Sequence, residues 1–123
     1  MKKLCGLLGL AAKAGKVQSG EFCTERSVKS GHARLCIIAE DASDQTKKAI
    51  SDMCAYRKVP VYTELVDKEM LGHVIGKGMR ASLTVEDTGF AERMQALILG
   101  TAQEQKGRKV FRDRQEGGDA DGK

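Results

Sequence analysis

The stretch RLCIIA, residues 34–39, is almost continuously apolar and β-branched at its centre. A strand with one wet face alternates apolar and polar residues, whereas a strand covered on both faces reads as an unbroken apolar run. Residues 34–39 therefore predict a buried strand with helices above and below it. Alternating helices and strands along the rest of the chain extend this to a three-layer α/β/α sandwich around a small mixed sheet.

Upstream, Ser19 is placed to cap a helix from about Gly20 to Ser30, with Gly31 ending it and Val17-Gln18 as a short extended link. The first sixteen residues, MKKLCGLLGLAAKAGK, could be taken for a secretory signal, since a nine-residue apolar run from Leu4 to Ala12 follows two lysines. The helical wheel argues otherwise. Leu4, Leu7, Leu8, Ala11 and Ala12 share one face, while Lys2, Gly6, Gly9, Lys13 and Lys16 line the other. A signal core needs no such segregation, so residues 1–16 are read as an amphipathic helix of the fold. The run is also far short of the about 20 residues that span a bilayer, and the expectation is a soluble, cytoplasmic chain with no membrane partner.

Downstream, Ser43 is placed to cap a third helix to about Arg57, with Ala49, Ile50, Met53 and Cys54 inward and Lys47 and Lys48 outside. Val59 to Thr63 reads as a second strand-like run containing the only proline, Pro60. Asp67 caps a fourth helix whose inner stripe is Leu71, Val74 and Ile75, and Gly76 stops it. Lys77-Gly78-Met79-Arg80 is a basic loop before an alternating strand, Ala81 to Val85. Thr88-Gly89 opens the last helix, where Phe90, Met94, Leu97 and Ile98 recur at helical spacing. One domain is expected over residues 1–101 and a disordered polar tail over 102–123, because the tail offers little apolar surface to offset ordering entropy. Six basic and five acidic residues after Gly100 leave that tail nearly neutral.

The net charge of the 123 residues is +4, too small to name a partner, but its distribution is uneven. Residues 1–34 hold seven Lys or Arg against only Glu21 and Glu25, an excess of five. Such a one-sided field attracts polyanions, although a solvated lysine face has the same composition.

Most catalytic chemistry finds no foothold. The four cysteines, at 5, 23, 36 and 54, form no close pair, and His32 and His73 are out of helical reach of one another, so neither a metal site nor a redox pair is indicated. Cys36 and Cys54 read as small buried hydrophobes. No GxSxG, HExxH or phosphate-loop motif is present, and Glu40-Asp41 points its carboxylates in different directions. With only five aromatics and no Trp, a base-stacking sheet is disfavoured. RNA, if bound, is left to helix ends and loops. Ser19-Gly20-Glu21-Phe22-Cys23-Thr24-Glu25-Arg26 suits that mode: a glycine lets a ligand approach the bare amides of a helix start, and Arg26 adds a guanidinium fork.

Taken together, GLAAKAGKVQSGE, RLCIIAEDAS followed by a Lys-rich helix, VPVYTE, LGHVIGK and the GFAERM helix resemble the YlxQ-type proteins. These are a bacterial branch of the kink-turn-binding ribosomal protein superfamily, which includes the archaeal "seven-Ae" and eukaryotic "thirty-e" large-subunit proteins. The resemblance covers about residues 3–99 in order and is sharpest at Ala39-Glu40-Asp41 and at the Leu-Gly-x-x-x-Gly spacing of 71–76. It implies an α/β/α sandwich with a noncatalytic, cofactor-free role on structured RNA, whether ribosomal or another folded RNA, without DNA specificity, in contact with ribosomes or the transcription and translation machinery.

In that superfamily the start of the second helix enters an RNA groove beside sheared G·A pairs, and two loops flank it and hold a flipped-out base. By position, the resemblance assigns the helix start to Ser19, Gly20, Glu21, Phe22 and Cys23, with Lys16 before it and Arg26 as its basic residue. The first loop falls at Ala42-Ser43 with Lys47 beyond it, and the second runs from Lys77 through Gly78, Met79, Arg80 and Ala81 to Ser82. One departure stands out. Kink-turn binders usually carry Asn-Glu where this chain has Phe22-Cys23, which cannot make the same hydrogen bonds to guanine edges. Phosphate contacts position and base contacts specify, so backbone and electrostatic contact survive the change. Phe22 itself admits two readings, a ring that stacks on a base or a core aromatic in the first helical turn. A competing function is a protein-interaction adaptor that keeps the fold without RNA recognition. An enzyme is the third reading, since similar domains serve as RNA-recognition parts of rRNA methyltransferases, but the expectation is that this chain has no room for a separate cofactor-binding catalytic domain.

Overall fold

A computed structural model describes residues 2–104 of the chain. Its elements run α1 Lys2–Lys13, β1 Val17–Ser19, α2 Glu21–Lys29, β2 Leu35–Ile38, α3 Asp44–Arg57, β3 Val61–Tyr62, α4 Lys68–Val74, β4 Ser82–Val85 and α5 Thr88–Glu104. The strands form one mixed sheet in the order β1-β4-β2-β3. β4 is antiparallel to both β1 and β2, and β2 is parallel to β3.

The apolar run of β2 is buried along its whole length, and its side chains divide between two cores. Leu35 and Ile37 pack with Leu83, Val85 and Tyr62 against Leu4, Leu8, Ala11, Leu71, Met94 and Ile98 of α1, α4 and α5. Cys36 and Ile38 pack with Val61 against Val28 of α2 and Ile50 and Cys54 of α3. This is the expected sandwich. Each fully buried Leu, Ile or Met stabilises it by about 1.5–3 kcal/mol through removal of apolar surface from water. The Cys36 thiol is pushed up from its ordinary range by a hydrogen bond with Cys54 and by burial, which keeps it in the unreactive protonated form.

Several local expectations are corrected. Val17-Gln18 is not a link but part of β1, paired with Val85 and Thr84. The second strand begins at Val61 rather than Val59, since Pro60 has no N–H to give and contributes only its carbonyl, which accepts from the Cys36 N–H at 2.9 Å. Ala49 is exposed, while Lys47 is half-buried. Gly9 does not face solvent freely: a Cβ there would stand 3.2 Å from the Val74 carbonyl oxygen, so the glycine lets α1 approach α4. Ser43 and Asp67 do cap α3 and α4, accepting from the Thr46 and Met70 N–H groups at 3.1 and 2.8 Å. Helix α5 extends to Glu104, and the polar stretch from residue 105 lies outside the described residues. None of the described helices is long and apolar enough to cross a membrane.

Candidate nucleic-acid interface

Strand pairing gathers three loops at one end of the sheet. β1 leaves it at Ser19, opposite Leu83, and the Gly20 N–H donates to the Ser82 carbonyl at 3.0 Å. β2 leaves at Ile38, opposite Ser82, and the Ala39 N–H donates to the Ala81 carbonyl at 2.8 Å. The start of α2, the 39–43 turn and the 77–81 loop are therefore neighbours. Lys16 is not among them. Its carbonyl accepts from the Glu86 N–H at the other end of the sheet, about 10 Å along β1 from Ser19 at strand rise.

Gly20 is the N-cap of α2, with φ +92° and no side-chain cap. The expectation that Ser19 caps this helix is thus corrected. A residue at the cap must present its side chain to the N2 or N3 amide, and Ser19, still paired within β1, turns its hydroxyl instead to accept from Arg80 Nε at 3.1 Å. The amides of Glu21, Phe22 and Cys23 consequently have no intrahelical acceptor, since the first internal bond runs from the Thr24 N–H to the Gly20 carbonyl at 2.8 Å. Nothing lies within 4 Å of the position a Gly20 Cβ would take.

Arg80 is half-buried and held by its own loop, donating from Nη1 to the Gly78 and Met79 carbonyls at 3.3 and 3.1 Å as well as to Ser19. Tethered this way, it is fixed in direction without being neutralised. The loop is seated on Gly72, where a Cβ would overlap the Gly78 carbonyl, which gives the Leu-Gly-x-x-x-Gly spacing a physical cause. Gly76 then turns the chain with φ +73°. Lys77 and Gly78 are exposed, Met79 is 61% exposed, and Ala81 is half-buried against the α2–α3 core.

Phe22 is 71% exposed, so it is not a core aromatic, and the Arg26 guanidinium sits over its ring at 5.4 Å from the centroid. The ion pairs among the described residues are Lys29–Glu25 and Lys48–Asp52. Neither uses Arg26 or Arg80, which leaves both charges available. Glu21 is exposed in the first turn, where it favours the helix dipole but opposes an anion. Cys23 is half-buried. Ser43 is occupied in its cap, with its hydroxyl donating to Thr46 Oγ1 at 3.0 Å, and Lys47 lies in the following turn.

What the sequence left unnoticed lies beneath α2. The inner face of that helix is Thr24, Ser27 and Val28, and it meets Ser82 and Thr84 of β4. Ser82 Oγ donates to Thr24 Oγ1 at 3.0 Å; Thr84 Oγ1 donates to Ser27 Oγ at 2.8 Å, and Ser27 Oγ in turn donates to Glu86 Oε2 at 2.6 Å. Buried hydroxyls of this kind must be paired, and each pairing constrains direction as well as distance. The signal was present as hydroxyls three apart on a helix and two apart on a strand.

Elsewhere, the concavity between α1 and α4 carries Glu40, Asp67 and Glu69 and no Lys or Arg, the wrong sign for a polyanion. Asp41 accepts from the Lys68 N–H at 2.8 Å and so serves α4. Among the described residues, no group of three His, Cys, Asp or Glu side chains is placed to hold a metal ion.

A mixed sheet between helical layers, with a glycine-started helix and two loops at one end, defines the class to which the chain belongs: residues 2–95 match the Ribosomal protein L7Ae/L30e/S12e/Gadd45 family, and the chain is a member of it. Within the family it is of the YlxQ type. It is 41% identical over 92 residues to the RNA-binding protein YlxQ of Bacillus subtilis, covering 75% of this chain and 91% of that one. It is 27% identical over 106 residues to the large ribosomal subunit protein eL8 of Thermoplasma volcanium, covering 85% and 87%. A solved structure of a protein of unknown function from Bacillus halodurans superimposes with a TM-score of 0.75 at 38% identity, covering 78% of this chain and 96% of that one.

Proposed function

We propose that this chain is a nonenzymatic accessory protein that binds structured RNA with the start of α2 and the 39–43 and 77–81 loops. The observation that carries the reading is Arg80, held against Ser19 beside the uncapped first turn of α2 and free of any carboxylate partner among the described residues. A fixed guanidinium next to unpaired amides suits phosphate oxygens. The relatives' names point the same way, and eL8 makes ribosomal RNA the first folded RNA to try. Kink-turn reading through guanine edges is not part of the proposal, because Phe22-Cys23 offers no equivalent hydrogen bonds.

The test is a titration of full-length protein against folded ribosomal RNA fragments over a range of salt. Affinity should fall linearly on a log–log plot, with a slope set by a few displaced counterions. Replacing Arg26 and Arg80 together with glutamate should abolish binding. Unchanged affinity in that double variant would refute this surface. The exposed Phe22 and Met79 are what favour the second reading, a protein adaptor; complexes that survive nuclease treatment while no RNA binds would establish it.

A further inference from the structure

We infer that Phe22 is a stacking platform for one unpaired base of the RNA, so that this protein distinguishes RNA with an unstacked nucleotide from continuous duplex. The inference rests on the RNA-binding reading above and adds to it what the site recognises.

Phe22 is one of only three phenylalanines in the chain, and it stands outward on α2 rather than inward. The inner face of the helix is already filled by Thr24, Ser27 and Val28 in their bonds and contacts with β4 and α3. The ring is therefore not displaced from a core that lacks room elsewhere; it occupies the solvent side by its position in the helix. Arg26, one turn on, places its guanidinium over the ring at 5.4 Å. That contact restrains the ring, since a cation is attracted to the electron-rich face of an aromatic. With 71% of the residue exposed, the ring still offers open surface to a planar partner. The same helix turn supplies positive charge from Arg26, and Arg80 lies across Ser19 from its start. A ligand fitting both features has a flat apolar face and anionic groups attached to it.

A nucleotide has both, but only when its base is out of the stack. Paired bases in an A-form duplex have both faces covered, whereas bulges and loops present a free face that aromatic side chains take up. Stacking of this sort tolerates every base, because each has a π-face. It therefore replaces the hydrogen-bonded reading that Phe22-Cys23 cannot perform with recognition of a base's availability.

The experiment uses the full chain and two blunt RNA duplexes that differ by a single bulged adenosine. The wild type should bind the bulged duplex more tightly. Phe22→Leu, apolar but without an aromatic face, should weaken the bulged duplex by roughly 5- to 150-fold, the range that base–aromatic stacking spans, and so remove most of its advantage over the continuous duplex. Phe22→Trp should restore the preference. Arg80→Glu should weaken both duplexes alike. If Phe22→Leu binds the two duplexes as the wild type does while Arg80→Glu still weakens them, the stacking inference is overturned and the RNA-binding reading stands. Wild-type protein that binds neither overturns both. Loss of a nuclease-resistant protein complex in Phe22→Leu, with RNA affinity unaltered, would assign the ring to a protein partner and overturn the inference too.

Discussion

The two helical layers both pack apolar side chains on the sheet, but they differ in what they add to that packing. On one side α1, α4 and α5 press Leu4, Leu8, Leu71, Met94 and Ile98 against Leu35, Ile37, Leu83 and Val85. On the other, α2 meets β4 largely through Thr24, Ser27, Ser82 and Thr84. Apolar packing is roughly proportional to area and has no preferred direction, so the first layer tolerates small shifts that keep its volume. Hydrogen bonds weaken steeply when bent or stretched. Helix α2 is thus fixed along β4 as well as against it, and β4 is the strand that follows the Arg80 loop. The layer that carries the candidate site is the one that adds directional contacts to its apolar packing of Val28, Ile50 and Cys54 against Cys36, Ile38 and Val61.

The largest blow to this contrast falls on the apolar side. Met94→Ala should destabilise the fold by about 2–5 kcal/mol, the usual cost of such a core deletion, as read from urea unfolding. Because Met94 packs in the α1, α4 and α5 core, on the face of the sheet opposite α2, the RNA affinity of the folded fraction should stay at the wild-type value.

Thr84→Val is the sharper probe. It keeps the shape but removes the donor to Ser27, leaving a buried hydroxyl without one of its partners, at a cost of about 1–3 kcal/mol. Here RNA affinity should drop as well, since α2 loses its register beside Arg80. Equal affinity in Thr84→Val and wild type, measured where both are fully folded, would mean that the hydroxyl contacts serve stability alone. The smallest effect belongs to Ser43→Ala. Loss of the α3 cap should cost about 1 kcal/mol, seen as a modest fall in unfolding midpoint.

Much of the sandwich was legible because its signals are local and periodic. The unbroken run of β2, the stripes of α1 and α5 and the caps at Ser43 and Asp67 each declare themselves within a few residues. β1 did not, for it has three half-buried residues and exists through its pairing with β4, far away in sequence. The same distance hid the role of Ser19. Its position before a glycine-started helix suggests a cap, and only the fold brings Arg80 to claim its hydroxyl. The pairing of Thr24 and Ser27 with Ser82 and Thr84 has no local sign, because the partners stand 58 and 57 residues apart in the chain. Of the candidate site, the helix start and the Lys77–Arg80 loop came together, whereas Lys16 went to the far end of the sheet.

Phe22 projects from the sandwich, and Cys23 belongs to neither of its two cores. Side chains at these positions are therefore exchangeable without disturbing the architecture that displays them. A scaffold of this kind separates durability from vocabulary: what its second helix displays is open to revision at one exposed and one half-buried letter while folding proceeds as before.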